Sequence, residues 1–169
     1  MALIVETGAQ VTNSNTYVSR ADYIAYAASI GVTITDDETA DQQLIQAAEY
    51  IDQHENNLIG TKVDRDQSMA YPRTDLVIEG WWWSSNEIPR QVILAQKLFA
   101  LDINSGEDLY NRSVNPNTAV TKERIEGAVE VTYAHNSNIT QQLSKNSKAD
   151  ALMSSLLKNN GLSIVLERA

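Results

Sequence analysis

Cysteine is missing from all 169 residues, which excludes disulfides, thiolate nucleophiles, iron–sulfur clusters and cysteine zinc sites together. Positive charge is scarce. The 13 Lys+Arg stand against 22 Asp+Glu, a formal net charge of -9. Binding nucleic acid through phosphate neutralisation needs clustered Lys/Arg and released counterions, and this balance argues against it. Long apolar runs are absent too, since no stretch approaches the roughly 20 residues of a membrane span. The opening 1–8 has a short apolar run without a positive flank, so no secretory signal is expected. The expectation is a soluble protein made in a cytoplasm.

What is present suffices for one core. A chain this long buries roughly 70% of the surface its unfolded form exposes, and 43% of the residues are hydrophobic. That predicts one domain, or one domain with arms. Leu3, Ile4 and Val5 read as a strand or arm before a polar loop. Ser19 and Asp22 have capping-box spacing, with Val18 and Tyr23 placed as a hydrophobic staple, so a helix begins here. Ala21, Ile24 and Ala28 would share its buried face, and Gly31 would end it. A second box, Thr39 with Gln42, opens a helix with the stripe Leu44, Ile45, Ala48 and Ile51. The stretch from Gly60 to Gly80 has no sustained period and reads as a long structured connection. Pro89 fits a first turn. Val92, Ala95, Phe99 and Ile103 then predict the most buried helix, stopping at Asn104, Ser105 and Gly106.

The period changes at Lys122. Ile125, Gly127, Val129, Val131 and Tyr133 alternate with polar neighbours as one strand. Asn136 to Asn146 reads as a polar tether. Ser147 with Asp150 opens a last helix carrying Leu152, Leu156 and Leu157, and Leu162, Ile164 and Leu166 alternate as a terminal strand. The predicted class is α+β, mainly α: about four helices with short strands near the C-terminal half and a C-terminal arm. The predicted division is 1–135 for the main domain and 136–169 for linker and arm.

Groups able to do chemistry are thin. His54 and His135 sit in polar surroundings and read as surface residues. No nucleophile elbow or nucleotide-binding glycine motif occurs. Asp64 and Asp66 could begin a calcium loop, but Met69 stands where its glycine belongs. The Asp36, Asp37, Glu38 and Asp41 cluster favours a helix start over an ion site. Asn111 and Asn138 lie in chance glycosylation sequons. No enzyme activity, metal or cofactor is expected.

Trp81, Trp82 and Trp83 are the unusual feature, with Tyr71, Pro72 and Arg73 ahead of them. Neighbouring side chains point in different directions in a helix or a strand, so three consecutive indoles cannot all face one core. At least one should be exposed, as a core cover with one flat surface ring, a subunit contact or, less readily, a base-stacking platform.

Several segments together carry a family resemblance: Leu3-Ile4-Val5-Glu6 with Asn15-Thr16-Tyr17-Val18-Ser19, Ala47 to Asp52, Gly60-Thr61-Lys62, Gln67 to Arg73, Ile88-Pro89, Ile125 to Tyr133, and Ala149 to Leu157 with Ile164 to Ala169. Over nearly its whole length the chain resembles the tailed-bacteriophage family often labelled DnaT-like. The triple tryptophan departs from the family's pattern. The label implies single-stranded DNA binding. Similarity in size and helix plan to head–tail connectors implies instead a ring, twelvefold by that resemblance, located in the virion neck after assembly in the host cytoplasm. Its partners would be the portal protein, a tail-side neck or tail terminator protein and its own copies, with DNA passing through unbound and no membrane involved. The acid balance favours the connector. The expected interface residues are Tyr71, Arg73, Trp81, Trp82, Trp83, Leu152, Leu156, Leu162, Ile164 and Leu166.

Overall fold

A computed structural model of the chain describes residues 2–110, 122–125, 129–132 and 147–158. It is an α+β structure, mainly helical, with α1 (Arg20–Ser29), α2 (Asp37–Asp52), α3 (Arg90–Asn104) and α4 (Ser147–Ser154). Six short strands accompany them: β1 (Thr61–Lys62), β2 (Arg73–Thr74), β3 (Val77–Ile78), β4 (Trp81–Trp82), β5 (Lys122–Ile125) and β6 (Val129–Thr132). They pair antiparallel as β1 with β2, β3 with β4 and β5 with β6. Four of the six therefore lie within 61–82, the stretch expected to be a connection, and strands are not confined to the C-terminal half.

Ser19 caps α1, its hydroxyl accepting from the Asp22 amide, and Val18 and Tyr23 are both buried as the staple requires. The expected inward face of Ala21, Ile24 and Ala28 is corrected, because α1 buries Tyr23 and Ala27 instead. Tyr23 is fully buried and keeps its hydroxyl satisfied by donating to Gln43 Oε1 at 2.9 Å. The second helix starts earlier than Thr39. Asp36 is its cap, accepting from the Thr39 amide at 2.9 Å and from the Thr39 hydroxyl. Asp37 and Glu38 fill the acidic first turn, and Asp41 pairs with Arg20 at 2.5 Å.

Helix α2, rather than α3, is the more buried: seven of its 16 residues are inside, against five of the 15 in α3. It packs against both α1 and α3, and α3 in turn contacts α1, α2 and α4. Two buried polar side chains organise the N-terminal loop around this pair. Glu6 accepts from the amides of Gly8, Gln10 and Val11 at 2.8, 3.0 and 2.7 Å. Gln96, fully buried in α3, accepts from the Tyr17 amide and donates to Thr16 Oγ1 and the Leu44 carbonyl. These bonds supply partners that backbone groups in a buried crossing would otherwise lack.

The single strand expected over 125–133 is corrected to a hairpin, with Ile125 opposite Val129. The C-terminal helix ends at Ser154, before Leu156 and Leu157. It is also not a separate arm: α4 packs on α3, and Ala149 and Met153 of the helix and Leu156 just after it are buried in the common core. Backbone bonds fasten the segment after this helix, Ile59 N–H donating to the Leu156 carbonyl at 2.8 Å and Lys158 N–H to the Asn57 carbonyl at 2.7 Å. The expected terminal strand lies outside the described residues.

Candidate functional site

Glu79 and Gly80 form the two-residue loop between β3 and β4, at φ 53° and 83°. Positive φ at both central positions gives the turn whose twist matches paired strands. Ile78 thus lies opposite Trp81, and Val77 opposite Trp82. Trp83 continues from the ribbon, its amide donating to the Leu76 carbonyl at 2.9 Å, and packs against the core. Trp81 and Trp82 do not. They are 76% and 77% exposed, and Val77 beside them is 40% exposed. The expected core cover with one surface ring is reversed: two indoles are outside and one is partly buried.

A depression of about 300 Å³ runs along this ribbon, lined by the three indoles with Ile78, Glu79, Glu87 and Gln91. Glu79 and Glu87 are exposed, and among the described residues neither forms an ion pair. Gln91 sits in the first turn of α3, and its Oε1 is buried without a hydrogen-bond partner. Among the described residues no Lys or Arg lines the depression. The site therefore offers flat aromatic faces, two negative charges and one unmatched acceptor.

The structure disperses the other expected contact residues. Tyr71 and Arg73 are corrected from interface to interior, being 0% and 4% exposed. The Arg73 guanidinium donates to the carbonyls of Ile59, Gly60 and Ala70 at 2.9, 2.9 and 3.2 Å and stacks over the Tyr71 ring. It closes the loop that ends in the cis Tyr71–Pro72 bond. Leu156 is fully buried in the domain's own core and is corrected as well, while Leu152 packs half-buried against that core. Leu162, Ile164 and Leu166 lie outside the described residues. Glu79, Glu87 and Gln91 were not foreseen. The one sequence signal for the turn was Gly80 between two apolar dipeptides, and nothing local marked Glu87 or Gln91.

Among the described residues no group of three or more His, Asp or Glu could hold a metal ion, and no helix is long and apolar enough to cross a membrane. A family model described as "Putative DnaT-like ssDNA binding protein" matches residues 1–169. No curated protein and no solved structure compared with the chain matches it.

Proposed function

The chain belongs to the DnaT-like family, and from that premise we propose that it is a structural connector of tailed-phage particles, forming a ring beneath the portal that joins capsid to tail. The observation that carries the proposal is the pair of exposed indoles with carboxylates, and no cations, along their depression. Exposed aromatics flanked by polar groups suit protein contact. A chain of net charge -9 also suits a channel through which DNA slides without sticking. Its partners under this proposal are the portal, a tail-side neck or terminator protein and other copies of itself, in the virion neck, and it has no catalytic role.

The family's description favours a second reading over the connector, that of a single-stranded-DNA-binding protein. The same two indoles could stack bases. Phosphates would then meet Glu79 and Glu87, with Arg73 buried and engaged by carbonyls. Two experiments separate the readings. Phage lacking this chain should give filled heads without tails by electron microscopy, and complete infectious particles would overturn the connector. A gel shift with oligo(dT) near physiological salt should show no complex, and a salt-dependent submicromolar complex would move the function to the second reading.

A further inference from the structure

The depression beside the tryptophan hairpin has one-sided chemistry. Its two charged groups, Glu79 and Glu87, are both acceptors, and the buried Oε1 of Gln91 is an acceptor without a donor. The walls are indoles, and a flat cation is the group that indole faces and carboxylates attract together. The cation–π contacts among the described residues use the rings of Tyr26 and Tyr71, so the indoles carry none.

Among the described residues no cation of the chain's own meets this need. Arg90, one residue before Gln91, is exposed and does not line the depression. Arg20 and Lys62 are held in ion pairs away from the hairpin.

We propose that the Trp81–Trp82 face docks an arginine-bearing segment of a partner protein, the guanidinium lying against an indole while its N–H groups reach the exposed carboxylates of Glu79 and Glu87. This deepens the connector proposal and rests on its assignment of the hairpin to protein contact. Guanidinium fits better than ammonium because its planar fork can stack and donate to several acceptors at once. Single-stranded DNA is disfavoured at the same face, since its phosphates would lie beside two carboxylates.

All three tryptophans of the chain are in this one segment, so intrinsic fluorescence reports the site directly. The full chain is titrated with tetra-arginine, tetra-lysine and oligo(dT). Tetra-arginine should change the emission saturably, with affinity about fivefold or more above tetra-lysine, as stacking and forked donation require. Glu79→Gln with Glu87→Gln should weaken tetra-arginine severalfold. Trp82→Ala should do the same, with far-UV circular dichroism unchanged. Equal response to arginine and lysine that survives Trp82→Ala would mean general acidic attraction and would overturn the proposal. Stronger binding of oligo(dT), or concentration-dependent self-association lost in Trp82→Ala, would assign the face to bases or to a second copy and overturn it equally. A chain still needed for tailed particles but indifferent to tetra-arginine would sink the arginine assignment and leave the connector standing.

Discussion

The Tyr17 hydroxyl donates to Oδ1 of Asp52 at 2.5 Å, and its oxygen accepts from the Tyr71 amide at 3.2 Å. One phenol thereby fastens the loop before α1, the end of α2 and the Tyr71-Pro72-Arg73 segment. Burial raises the Tyr17 hydroxyl well above its ordinary pKa, and the Asp52 charge adds to the rise, so the phenol stays protonated and keeps donating.

Asp52 makes stability depend on pH in an unusual direction. Burial raises its carboxyl from 3.8 to about 6, although the Tyr17 and Ala70 hydrogen bonds and Lys62 pull the other way. Between those two values the native state holds a proton that the unfolded chain has lost. This group's contribution is therefore greatest at acid pH and is lost as pH rises toward 6. Asp52→Asn cannot ionise. Its stability relative to the wild type should rise by on the order of 2 kcal/mol between acid and neutral pH. Urea denaturation of both chains across that range measures this, and a difference independent of pH would refute it.

The N-terminal loop hangs on Glu6 and Gln96. Glu6→Ala strands three amides, and Gln96→Leu strands the Tyr17 amide. Each should cost about 3 kcal/mol. Equilibrium unfolding that shows either change below about 1 kcal/mol would remove the anchoring role.

Gly8 and Gly31 both have positive φ, at 99° and 82°, but their surroundings differ. A Cβ on Gly8 would lie 2.0 Å from the Asn86 carbonyl oxygen, whereas nothing lies within 4 Å of one on Gly31. Gly31→Ala should cost about 1 kcal/mol from backbone strain alone. Gly8→Ala should cost clearly more and detach the 84–87 loop. Comparable melting temperatures for the two variants would contradict this.

Leu156 and Trp82 should respond in opposite ways to truncation. Leu156→Ala empties a fully buried position and should destabilise by about 3 kcal/mol. Trp82→Ala should change stability by no more than about 0.5 kcal/mol, because the ring is mostly in solvent. A chain ended after residue 146 should fail to unfold cooperatively, having lost the α4 side chains that cover α3. Thermal melts of the three proteins test the set.

The sequence by itself determined what depends on a few adjacent residues. Acidity and the lack of cysteine are properties of composition. The Ser19 cap, the entry of α3 at Pro89 and its stop near Ser105 rest on contacts within one helical turn. Exposure of at least one tryptophan followed from the geometry of neighbouring side chains. Tertiary structure decided everything that needed a distant partner. Gln96 reaches Thr16 and Tyr17 across 80 and 79 positions, and Arg73 finds carbonyls on the β1 side of its loop, so neither could be read locally as interior. α1 turned to bury Tyr23 because Gln43 of α2 was there to receive its hydroxyl. α4 joined the core instead of forming an arm because α3 still had apolar surface to cover, and burying that surface outweighs the modest entropy of closing a long loop. The hairpin kept two indoles outside for the complementary reason, since a two-stranded ribbon has faces and edges that this core does not reach.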